Sequence, residues 1–254
     1  MRRINRHFVV WMSYKGAIRV TLAVCAIMLA TILLTQKIAP ASSWTFWTLP
    51  LSGKTIVIDA GHGGVDGGAM SKQGLIEKDL NLAIALQLRD YLQQSGAVVI
   101  MTREGDYDLA NEDERSYSKR KTEDLKKRVA LIKDKNPAAV ISIHMNSIPS
   151  PKWSGAQTFY YPNSKTESRN LAELIQDELR GNLQNTTRLA GEVKEVYMLK
   201  ALENTPAALV EVGFLSNPGE ASRLADTEYQ RMVAASVYKG VLRFSSGETI
   251  SPLR

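Results

Sequence analysis

Residues 54–64 read Lys-Thr-Ile-Val-Ile-Asp-Ala-Gly-His-Gly-Gly, and residues 138–146 read Ala-Ala-Val-Ile-Ser-Ile-His-Met-Asn. Each is a short, mostly apolar run that ends on a histidine, His62 in the first and His144 in the second. Apolar residues in succession, rather than in alternation, mark strands covered on both faces, as in a sheet with helices above and below. The segments around them agree. Between Glu77 and Gln94, Leu80, Ile84, Leu88 and Leu92 recur with a helical repeat, and Gly96 can end that helix. Ala97–Thr102 reads as a strand, Glu123–Lys133 as a helix before Pro137, and Gln157–Tyr161 as a shorter strand. Glu167–Leu183 reads as a helix, Ala207–Val212 as a buried strand and Glu228–Phe244 as a last helix. This alternation predicts a single α/β domain with a central, mainly parallel or mixed sheet flanked by helices. Glu104–Thr122 is rich in charge and poor in apolar periodicity, and reads as a polar loop or partly helical surface excursion of unassigned role.

The formal charge of +6 does not belong to that domain. Residues 1–43 hold Arg2, Arg3, Arg6, Lys15, Arg19 and Lys37 with no acidic residue, so they carry the whole excess, and the rest of the chain is balanced. The domain therefore gives no bulk electrostatic reason to bind nucleic acid. Val20–Thr35 is a charge-free, mostly apolar run preceded by positive charge, and predicts an N-terminal hydrophobic helix acting as a signal peptide or a membrane anchor. Ala39-Pro40-Ala41 offers a small-x-small processing site, whereas Trp44, Phe46 and Trp47 would suit the far interface of a retained anchor. Either outcome places the domain outside the cytoplasmic membrane. The organisation read from sequence is thus a basic segment with signal or anchor at 1–43, a lead-in at 44–53, a catalytic domain at 54–244 and a polar tail at 245–254. Cys25, the only cysteine, lies in the apolar run, which excludes an intrachain disulfide and a thiol nucleophile in the domain.

Ligands of open α/β sheets gather beyond the carboxyl ends of strands, where His62, His144 and Glu211 all fall; Glu77 opens a helix just after the first glycine-rich loop. Two imidazoles and a carboxylate make a sound catalytic zinc set with one coordination position to spare. Glu211 would then be a separate carboxylate that handles protons. The plainer alternatives are that Glu77 is a helix N-terminal charge and that Glu211 forms an ion pair at a strand end. The glycines of 61–68 do not make a nucleotide loop, because Asp66 occupies the third glycine position of a pattern begun at Gly61 and no Gly-Lys-Ser/Thr follows. No serine-nucleophile elbow is evident.

Taken in order, Ile58-Asp59-Ala60-Gly61-His62-Gly63-Gly64, Asp66-Gly67-Gly68-Ala69, Glu77, Ser142-Ile143-His144-Met145-Asn146 and Leu209-Val210-Glu211-Val212-Gly213-Phe214-Leu215-Ser216-Asn217 resemble the zinc-dependent N-acetylmuramoyl-L-alanine amidases of bacterial cell-wall remodelling, the amidase-3 family. The resemblance implies that His62, Glu77 and His144 bind Zn2+ and that Glu211 is the catalytic acid/base. It implies peptidoglycan as substrate, cut at the amide between N-acetylmuramic acid and L-alanine. The finer resemblance is to the germination-specific, spore-cortex branch. There, peptide removal prepares muramic acid for conversion to muramic-δ-lactam by a separate deacetylase, in the intermembrane cortex region of the developing spore. An exported activator is compatible with that setting, but no motif identifies one. The inhibitory-helix region of some daughter-cell-separation relatives is short here. The alternatives on chemistry are another zinc-dependent wall peptidase or deacetylase, and on class a noncatalytic peptidoglycan-binding protein.

Overall fold

The structure, a computed structural model, describes Trp11, residues 13–35 and residues 49–250. The expectations resting on Arg2, Arg3, Arg6, Lys37, the Ala39-Pro40-Ala41 site and Trp44, Phe46 and Trp47 lie outside the described residues. The chain divides into an N-terminal unit, Met1–Trp47, and the domain, Thr48–Arg254. In the first, helix α1 (Tyr14–Thr35) starts earlier than the apolar run and takes Lys15 and Arg19 into its first turns. Its stretch Tyr14–Thr31 is long and apolar enough to cross a membrane. Thr21 donates its hydroxyl back to the Ala17 carbonyl at 3.0 Å, the local satisfaction that apolar surroundings demand.

The domain is built on six strands, β1 (Thr55–Ala60), β2 (Val98–Met101), β3 (Ala139–Asn146), β4 (Gln157–Tyr160), β5 (Gly191–Glu192) and β6 (Ala207–Phe214), in the order β2-β1-β3-β6-β4-β5. The central strands run parallel, β4 runs antiparallel to β6, and β5 parallel to β4, so the sheet is mixed. Three helices, α2 (Glu77–Gln94), α4 (Ser168–Leu183) and α7 (Thr227–Ser245), pack on one face over Ile56, Ile58, Ile141, Ile143 and Val210. The opposite face carries Val57, Val140 and Leu209 beneath α3 (Tyr117–Lys135) and the short α5 (Tyr197–Ala201). Its cover is smaller, and His144 on β3 and Glu211 on β6 leave the sheet on that same face.

Several boundaries differ from those read in the sequence, each for a tertiary reason. Helix α3 begins at Tyr117 because Arg120 pairs with Asp108 and Lys121 with Asp66, so ion pairs fix two turns that have no apolar stripe. Asn136 ends it in the left-handed conformation at φ 41°. Strands β3 and β6 run on together to Asn146 and Phe214, so His144 and Glu211 lie within strands rather than beyond them, with an irregularity of register just after His144. Helix α5, helix α6 (Pro218–Leu224) and the two-residue β5 are too short to show a period. Only α6 carries a local signal, the Asn217 side chain capping the N–H groups of Gly219 and Glu220 ahead of Pro218 at the helix start. Beyond α7, Glu248 pairs with Arg243 and its carbonyl accepts from Asn170.

Candidate metal centre

The centre starts from a turn that the chain adopts only under constraint. His62 has φ 63°, the left-handed region that a residue with a Cβ rarely enters. Two buried arginines hold it there. Arg128 on α3 donates to the Ala60 carbonyl at 2.8 Å and the His62 carbonyl at 2.6 Å, and Arg103 donates to the carbonyls of Ala60 and Gly61, each at 2.9 Å. Three successive backbone oxygens thus face guanidinium groups. Arg128 is itself held by Asp59 and Asp124, both at 2.9 Å. The 104–122 excursion closes the turn from outside, Asp106 accepting the Gly64 N–H at 2.9 Å and pairing with Lys78 at 2.7 Å.

This turn brings His62 to Glu77 and His144. His62 Nε2 and His144 Nδ1 each lie 3.2 Å from Glu77 Oε1, and the imidazole rings stand edge to face with centroids 5.0 Å apart. One donor atom from each residue falls within 4.8 Å of the other two, so the three could hold a metal ion. Glu77 is oriented by the backbone N–H of Met145 on Oε1 and of Ala69 on Oε2, at 2.9 and 2.8 Å. His62 Nδ1 faces Asp66 Oδ2 at 2.8 Å, and Asp66 also pairs with Lys121 and accepts from the Tyr117 hydroxyl. A carboxylate behind one ring nitrogen leaves the other nitrogen as a lone-pair donor, the outer-shell arrangement of metal-bound histidines. Burial works against a charge on His62, yet Asp66 and Glu77 raise its pKa to about 9. Two anions crowded on one imidazole are the environment a cation satisfies. Gly61 and Gly68 make the approach possible. A Cβ at Gly61 would meet the His144 ring, and one at Gly68 would lie 2.6 Å from Glu77 Oε2 and 2.7 Å from His62 Cδ2.

Glu211 stands beside the trio, in register with His144 across the β3–β6 pair. Its Oε2 is buried with no hydrogen-bond partner among the described residues. Burial pushes the carboxyl up to about 7, partly opposed by His144 and reinforced by Glu77. A carboxyl group poised near neutrality can both take and give a proton. A cavity of about 180 Å3 opens beside the imidazoles, with Leu125, Met198 and Leu209 on its apolar wall and Lys121 on its polar one.

The four residues singled out from the sequence are therefore neighbours. Asp66, Arg103 and Arg128 were not singled out. Arg128 had a legible signal, since it shares the buried face of α3 with Val129 and Ile132 and sits one turn after Asp124; Arg103 had none.

The N-acetylmuramoyl-L-alanine amidase family, amidase-3, matches residues 56–243, which takes in all of the sheet but the first residue of β1, and all four residues. The chain belongs to the amidase-3 family. Its activity is that of a cell-wall N-acetylmuramoyl-L-alanine amidase. The amidase is 55% identical over 202 residues to the germination-specific N-acetylmuramoyl-L-alanine amidase of Bacillus subtilis, spanning 80% of this chain and 84% of that one. Among solved structures it resembles the CwlD amidase from Clostridioides difficile in complex with the GerS lipoprotein, at 39% identity and a TM-score of 0.74 over 77% of this chain and all of that one. It also resembles an N-acetylmuramoyl-L-alanine amidase from Clostridium difficile 630, at 29% identity and a TM-score of 0.66 over 75% and 96% of the two chains.

Proposed function

We infer that this amidase hydrolyses the bond between N-acetylmuramic acid and L-alanine with a zinc ion held by His62, Glu77 and His144 and with Glu211 as acid/base. The observation that carries the reading is the unpartnered, buried Glu211 oxygen set in register beside a two-imidazole, one-carboxylate donor set. That donor set suits zinc and leaves a position open. Zinc supplies Lewis acidity towards the amide carbonyl and lowers the pKa of water. Glu211 takes a proton as water attacks and returns it to the departing alanine amine, so one carboxyl serves both half-steps. Asp66 keeps the His62 ring in the tautomer and orientation that present Nε2, and the Met145 and Ala69 N–H groups keep the Glu77 carboxylate aimed.

The substrate in this reading is spore-cortex peptidoglycan. Removing the stem peptide leaves a muramic acid whose free lactyl carboxylate a separate deacetylase pathway can close to muramic-δ-lactam. Helix α1 delivers the domain across the cytoplasmic membrane, as signal or as anchor, into the intermembrane cortex region. An exported protein partner belongs to the same proposal, supported by the lipoprotein found in complex with the C. difficile amidase. Product mapping tests it: zinc-loaded protein on peptide-bearing glycans should yield intact muramic acid and a new L-alanine N-terminus, while acetate release or a different cut bond would reject it.

A further inference from the structure

Past the metal-ligand candidates, three strands align their side chains in one row. His144 on β3 is opposite Glu211 on β6, and Glu211 is opposite Gln157 on β4. Residues paired across strands leave the same face, and neighbouring strands lie about 4.8 Å apart. Gln157 therefore stands one strand beyond Glu211, on the side away from the imidazoles. Arg188 continues the row. Its Nη1 donates to Gln157 Oε1 and its Nε to the Ser154 carbonyl, both at 3.3 Å. The guanidinium lies 5.5 Å from the Trp153 ring centroid and 5.4 Å from that of Phe214. Gln157 is fixed in turn, donating to the Leu189 carbonyl at 3.0 Å. Arg188 makes no ion pair with a carboxylate among the described residues, and it keeps partial access to solvent.

The reaction gives the row a direction. If Glu211 protonates the departing amine, the scissile nitrogen lies on the Glu211 side of the centre and the peptide runs on from there. The acyl side stays with His62, Glu77 and His144. A chain advances at most about 3.3–3.6 Å per residue, so a group on the residue after L-alanine comes roughly one strand spacing past the nitrogen. Gln157 marks that place on the sheet and Arg188 is hydrogen-bonded to it, and the preset, aromatic-backed fork of Arg188 is suited to a carboxylate.

We propose that Arg188, held by Gln157, Trp153 and Phe214, sets specificity by binding a free carboxylate on the second residue of the stem peptide. The direction of the row rests on the role given to Glu211. The test uses two muropeptides identical except that this carboxylate is free in one and amidated in the other. The unaltered enzyme should prefer the free acid. Arg188→Gln should lose about 10- to 100-fold in kcat/KM on the free acid with little change on the amide, the loss expected when a charged hydrogen bond is removed. Arg188→Lys should recover part of the preference. Equal slowing of both substrates, or an unaltered enzyme that does not discriminate, would overturn the proposal. Glu211→Gln, assayed alongside, should slow both substrates alike. Full activity of that variant would remove the Glu211 role, whereas Arg188 is judged only by the ratio between substrates.

Discussion

His144 and Glu211 are direct partners on two adjacent parallel strands, so a metal-ligand candidate and the carboxyl proposed as acid/base share one face, one strand spacing apart. Because the sheet sets this spacing, the two can be altered separately. Glu211→Gln keeps the shape and removes the ionisable group. Turnover should fall by about 10²–10⁴-fold while zinc stoichiometry stays unchanged. Full turnover would defeat the acid/base role.

Replacing His62 or His144 by Ala should lower zinc content, measured by elemental analysis after dialysis. Asp66→Asn makes a finer cut. It spares all three ligand candidates but weakens the support behind His62 and the pairing with Lys121. Zinc affinity in a chelator competition should drop about 10- to 100-fold; an unchanged affinity would show that Asp66 only shapes the loop.

Gly68→Ala places a Cβ against Glu77 and His62 at a residue with φ +69°. The backbone and the ligands cannot both stay. Zinc binding should be lost and thermal stability reduced, whereas the same change at Gly74, which also has a positive φ but has nothing within 4 Å of a Cβ, should leave zinc binding intact.

Stability in acid should carry the mark of Asp59. Burial raises its pKa, but Arg128, His144 and the Ser142 hydroxyl outweigh burial and hold it at about 2, below the ordinary 3.8 of an aspartate. A depressed folded-state pKa contributes stability above the unfolded value that is lost as pH falls through the folded one. About 2 kcal/mol should therefore disappear between roughly pH 4 and 2. Urea unfolding across that range should show the loss, and Asp59→Asn should flatten it.

Arg128→Met leaves Asp59 and Asp124 buried beside an apolar group and releases the His62 carbonyl. Breaking a buried pair on one side costs about 3–5 kcal/mol. The variant should unfold at lower denaturant and bind zinc less tightly even where it remains folded.

Much of this was legible in the chain. Uniformly apolar runs such as Ile56–Ile58 and Ile141–Ile143 announce strands buried on both faces, and the Leu80–Leu92 repeat announces α2 to the residue. Three of the four candidate site residues also stood out in the chain, since His62, His144 and Glu211 each interrupt apolar character where a strand nears its end, whereas Glu77 had only its place at the start of a helix. Long-range charge was not. Nothing local says that Lys121 reaches Asp66 or that Arg103 grips the Ala60 and Gly61 carbonyls, and those contacts lengthen α3 and shape the His62 turn. The row from Glu211 to Arg188 was hidden for a similar reason, because it depends on β4 lying antiparallel beside β6.

The grip of Arg128 on the His62 carbonyl joins the first strand's turn to a helix that follows much later in the chain. A partly made chain has the histidine but lacks the helix that bends it into place, and the strand carrying Glu211 comes later still. The donor set and Glu211 therefore meet only in a chain that has packed everything from β1 to β6 into one sheet, so a chain stopped before β6 would lack the carboxyl that the proposed chemistry needs.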